Sequence, residues 1–114
     1  MKIYNPNNLN KPNAILFDTD NTLYSYDPAH EFALSSIEKK VVDTYSITSS
    51  DFQKAFQEAR SDIKKRLSGT ASSHSRLLYM QRMLEIMGLG SQVLVALDLE
   101  QTYWRTFLSK AVLF

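Results

Sequence analysis

A chain of 114 residues that is 44% apolar is long enough for one small domain with a sizeable core. Its 13 basic and 12 acidic residues leave a net charge of +1, so no basic stripe marks it for nucleic acid or anionic lipid. The absence of cysteine excludes disulfides and thiolate metal sites, and no apolar run reaches the ~20 residues of a membrane span.

Residues 1–13 are Asn-rich, punctuated by Pro6 and Pro12, and read as an irregular lead-in without the apolar core of a secretory signal. A soluble, cytoplasmic protein is expected, with neither nucleic acid nor membrane as partner. The run AILF at residues 14–17, set between that lead-in and an Asp/Asn cluster, predicts a strand buried on both faces. Asp27-Pro28 marks a turn. Beyond it, Phe32, Leu34, Ile37, Val41 and Val42 recur at helical spacing. Ser50 and Gln53 form an S-x-x-Q capping box for a second helix, whose stripe is Phe52, Ala55, Phe56, Ala59, Ile63 and Leu67 and whose stop is Gly69. The run Lys64-Lys65-Arg66 on this helix reads as a solvated face. SGTASS is a loop, a third helix is expected over residues 73–87, and a fourth begins near Ser91 with Leu94, Leu97, Tyr103 or Trp104, Phe107 and Leu108.

The expected layout is one strand and about four helices. A strand buried on both faces needs neighbours on each edge, and KAVLF at residues 110–114 is the single further strand candidate. The sheet is therefore short of strands. Residues 1–27 are expected to form the lead-in with the first strand and loop of an incomplete core, and residues 28–114 a helical domain.

The strand's end carries Asp18 and Asp20, two carboxylates two residues apart. Chemistry in open α/β folds collects at strand ends, and a carboxylate pair there holds a hard cation such as Mg²⁺, which offsets the repulsion between them. One carboxylate would then serve as nucleophile and the other as general acid and base. A plain turn explains the same residues, since Asp, Asn and Thr all favour turns. An EF-hand loop does not fit: Leu23 and Ala29 stand where Gly and Glu are needed. No Walker-type phosphate loop is present.

AILFDTDNTLY, residues 14–24, resembles the first motif of the haloacid dehalogenase superfamily: an apolar run, then D-x-D-x-T, then an apolar residue. Ile15, Leu16 and Phe17 match the strand, and Asp18, Asp20, Thr22 and Leu23 match the motif. The helical segment is similar to the cap that some members insert just after it. The resemblance implies an α/β, Rossmannoid parent fold of which this chain holds one strand and the cap helices. It implies that Asp18 is the nucleophile that becomes an aspartyl phosphate, and a Mg²⁺ ligand. Asp20 would be the acid and base, with its backbone carbonyl also on Mg²⁺, and Thr22 a loop-fixing hydroxyl. An aspartate at position 20 favours phosphoryl transfer over carbon–halogen cleavage, because the latter needs no leaving-group proton of this kind.

The family also uses a Ser/Thr after a second strand, a Lys and a late acidic pair, none of which is matched here; Ser109 and Lys110 lie in a helical pattern. The chain thus reads as the N-terminal part of a Mg²⁺-dependent phosphatase acting on a small phosphorylated metabolite or nucleotide, with little activity alone. The other reading is a non-catalytic helical module that self-associates, with a homodimer as its closed form. His30 is a candidate base near Asp18, and His74 and Arg76 are candidate contacts to a leaving group, although helix-start polarity also accounts for them. Trp104, with Tyr103 and Phe107, reads as packing.

Overall fold

Every fourth residue from Ala29 to Val41 is buried: Ala29, Ala33, Ile37 and Val41 form one stripe of a helix. In the computed structural model, which describes residues 13–114, this helix is α1, Tyr26–Tyr45. Pro28 is accepted because it lies in the first turn, where no N–H is required. Ser46 closes the helix in the left-handed region at φ 53°, its N–H bonded to Val42. The three helices that follow are α2, Ser49–Arg66; α3, Arg76–Ile86; and α4, Val93–Lys110, with a 3₁₀ turn at Ala71–His74 ahead of α3.

Each helix gives four side chains to one core: the stripe of α1, then Phe52, Ala55, Phe56 and Ala59, then Tyr79, Met80, Met83 and Leu84, then Ala96, Leu99, Tyr103 and Phe107. α1 packs most extensively on α4, and α2 on α3, with α3 against α4 joining the two pairs. Ala29, Ala33 and Ala96 are small, which suits close approach of α1 and α4. α3 ends in a Schellman arrangement: Gly88 at φ 76° donates to Glu85, and Leu89 donates across it to Leu84, both at 3.0 Å.

The expected α/β fold does not form. Among the described residues there are helices and no strand, only isolated bridges pairing Asp20 with Tyr24 and Tyr24 with Leu113. Residues 14–17, the predicted strand, form no bridge with any described residue, and Leu16 is 99% exposed. A lone strand cannot satisfy its own N–H and C=O groups. The KAVLF stretch contributes one antiparallel bridge, in which the Phe114 N–H donates to the Leu23 carbonyl at 2.9 Å.

Helix faces differ from the expected ones where alanine replaces larger residues. Phe32 was expected inside α1 but is 56% exposed, because the alanine side of the helix faces the core. The cap of α2 is Thr48, whose side chain accepts from the Asp51 N–H at 3.1 Å, rather than Ser50. The third helix starts later than expected, after Ser75, whose hydroxyl accepts from Leu78.

Candidate active site

The D-x-D-x-T segment folds as a tight turn leading into α1. The N–H groups of Thr22 and Leu23 both donate to the Thr19 carbonyl, at 3.2 and 2.9 Å, and Asn21 takes a left-handed φ of 58°. Asn tolerates that conformation, and its side chain accepts from the Tyr26 N–H at 3.0 Å, fixing the turn to the first residue of α1. Asp18 and Asp20 are both exposed. Thr22 donates its hydroxyl to Asp18 Oδ2 at 3.0 Å, so this threonine ties the loop as expected. Asp20 Oδ1 accepts from the hydroxyls of Tyr24 and, at 3.5 Å, Thr19. The bond to Asp20, with a smaller contribution from burial, pushes the Tyr24 hydroxyl above its usual range.

Each aspartate therefore keeps one oxygen free of these bonds. No group of three or more His, Cys, Asp or Glu gathers among the described residues. Mg²⁺ commonly takes one or two carboxylates and completes its shell with water and phosphate oxygens. The Asp18 carboxylate and the Asp20 backbone carbonyl would hold it, which leaves the Asp20 carboxyl for proton transfer.

Next to this turn, folding assembles a polar and aromatic cluster from three helices. The Arg76 Nη2 group donates to the Tyr26 hydroxyl at 2.7 Å and Nη1 to the His74 carbonyl at 3.3 Å. The guanidinium lies over the rings of Tyr79 and Tyr103, at 5.4 and 5.3 Å from their centroids. His30 stacks on Tyr26, and its Nδ1 lies 2.6 Å from the Tyr103 hydroxyl. Burial holds the His30 pKa below the usual histidine value, and Arg76 and Arg60 add to this by repulsion. Burial raises Tyr103 to about 12. A neutral His30 beside a protonated Tyr103 leaves one ring nitrogen to donate and the other to accept, and one of these roles is taken by the phenol at Nδ1. For Arg76, burial works against the charge, but its contacts with Tyr103 and Tyr26 outweigh it and the guanidinium remains charged.

His30 is thus committed to Tyr103 at Nδ1, not to Asp18. Arg76 joins the cluster; His74 is exposed, and its Nδ1 meets the Ser73 hydroxyl at 2.9 Å. Tyr24 and Tyr26 link turn and cluster: both rings pack on Phe107, at 5.9 and 5.4 Å. No sequence signal marks Tyr24 or Tyr26, since nothing in the spacing brings Tyr26 to Arg76 or His30 to Tyr103.

No protein-family model matches the chain, and no solved structure matches it. The chain is 35% identical over 98 residues to a ribulose-1,5-bisphosphate 5-phosphatase of Halopiger xanaduensis (strain DSM 18323 / JCM 14033 / SH-6), a match covering 85% of this chain and 41% of that protein. The chain thus spans less than half the length of the curated relative it matches. Among the described residues no helix is long and apolar enough to cross a membrane.

Proposed function

We propose that this chain carries the reacting carboxylates of a Mg²⁺-dependent phosphomonoester hydrolase of the haloacid dehalogenase type, acting on a small phosphorylated metabolite. The D-T-D-N-T turn carries this reading: it presents two exposed carboxylates, each with a free oxygen, beside a fixed threonine. Likeness to a protein named as a sugar-bisphosphate phosphatase supports it and favours a phosphorylated sugar as substrate. Asp18 attacks phosphorus and becomes an aspartyl phosphate as the ester oxygen departs. Asp20 gives that oxygen its proton, then takes one from the water that attacks the aspartyl phosphate, restoring Asp18 and releasing phosphate. Bound Mg²⁺ would supply charge neutralisation at the phosphoryl oxygens. Thr22 keeps Asp18 oriented, and Tyr24 does the same for Asp20.

Acetyl phosphate tests this directly, because its good leaving group needs no proton from Asp20. With Mg²⁺, an active form of the enzyme should gain one phosphoryl group on the peptide containing Asp18, labile to hydroxylamine, and Asp18→Asn should abolish it. An active form that turns over without this adduct, or an adduct that survives Asp18→Asn, overturns the reading.

A further inference from the structure

Arg76 differs from the arginines that pair with carboxylates. Arg66 and Arg82 both reach Asp62, and Arg82 also reaches Glu85. Among the described residues Arg76 has no carboxylate partner; its acceptors are a phenol and a backbone carbonyl. Its Nε is buried and has no hydrogen-bond partner among the described residues. A buried N–H of a charged group left unpaired is costly, and the fold retains it where two aromatic rings hold the guanidinium in place.

Nε and Nη2 lie on the same edge of the guanidinium, where two parallel N–H bonds match two oxygens of a phosphate or carboxylate. Here Nη2 is satisfied by the Tyr26 hydroxyl and Nε by no described residue. A phenol offers one oxygen and no charge, whereas this edge of a guanidinium matches two oxygens of an oxyanion. Arg60 lies close enough to depress His30, which adds positive potential.

We propose that this edge of Arg76 binds the non-reacting phosphate of a substrate that carries a second phosphate group, an assignment that rests on the Asp18 chemistry proposed above. The incoming phosphate takes both Nε and Nη2 and displaces the Tyr26 hydroxyl. Tyr26 also donates its backbone N–H to Asn21 in the D-x-D turn. Occupation of the Arg76 edge is therefore transmitted to the loop that carries Asp18 and Asp20, and the second phosphate positions the first.

The test reads the Arg76 Nε–H signal in side-chain ¹H–¹⁵N spectra of the whole chain, without Mg²⁺, during titration with inorganic phosphate. The signal should move downfield and saturate, and acetate at the same concentration should move it much less. Arg76→Lys keeps the charge but loses the fork, so phosphate should bind about tenfold more weakly. A signal that does not move across the millimolar range, equal shifts with acetate and phosphate, or unweakened phosphate binding by a folded Arg76→Lys chain would each overturn the proposal. If Arg76→Lys does not fold, the wild-type titrations alone decide. The Asp18 adduct is a separate readout: its absence with the Arg76 shift intact removes the hydrolase reading and not the anion site.

Discussion

His30 is kept neutral chiefly by burial and by the positive charge of Arg76 and Arg60, against weaker pulls from Asp27 and Glu31. Because its folded pKa lies below the unfolded value of about 6.5, the unfolded chain takes up the proton first as pH falls. The stability that His30 contributes is thus complete above about 6.5 and is lost as pH drops toward the folded pKa. Thermal melting between neutral and mildly acidic pH should show this loss, and His30→Gln should flatten that part of the profile. At Asp20, the proposed acid, replacement by asparagine in an active form of the enzyme should spare aryl phosphates and slow alkyl phosphates by about 10²- to 10⁴-fold; equal losses across leaving groups would remove Asp20 from that role. These two residues also mark what single positions disclose. Asp18 and Asp20 were legible because their chemistry lies in adjacent sequence. The His30–Tyr103 pair is separated by 73 positions and the Tyr26–Arg76 pair by 50, so only packing brings them together.

Among the elements, α2 was the most legible because its bulky residues sit on its buried face: Phe52 and Phe56 alternate with Ala55 and Ala59, all inside. α1 misled because its inward face is built partly of alanine, which carries little hydrophobic signal, while the larger Phe32 lies outside beneath Lys110. The cap of α2 separates the sequence expectation from the structure. Thr48→Ala should cost about 1 kcal/mol, since it orphans the Asp51 N–H. Ser50→Ala should change stability by less than about 0.5 kcal/mol, as expected of a position without a capping role. Urea unfolding of the two variants measures the contrast. The first strand was misread for a different reason. A four-residue apolar run signals burial, but whether a neighbour exists to bury it is a property of the remaining chain and not of the run.

At the scale of the whole molecule, α4 is apolar on two sides. Its inner stripe enters the core, while Leu94, Leu97, Trp104 and Leu108 form an outer stripe at helical spacing that faces solvent, with Gln101 in its middle. An outer seam of this kind suits a second helix. Light scattering should show self-association, most simply as a symmetric dimer, and replacing both Leu94 and Leu108 with glutamate should leave a monomer with unchanged helix content. A monomer in the unmodified chain at millimolar concentration would refute it. The meeting of Leu23 with Phe114, finally, sets how the molecule answers to force. The backbone entering the helices and the backbone leaving them run in opposite senses side by side, joined through Tyr24 and Leu113 and the Phe114–Leu23 hydrogen bond. Tension applied to the two ends therefore falls on this one short contact and peels it apart. A small pull parts the tails while the four helices stay packed, so the bundle behaves as a stiff bead held by a compliant catch.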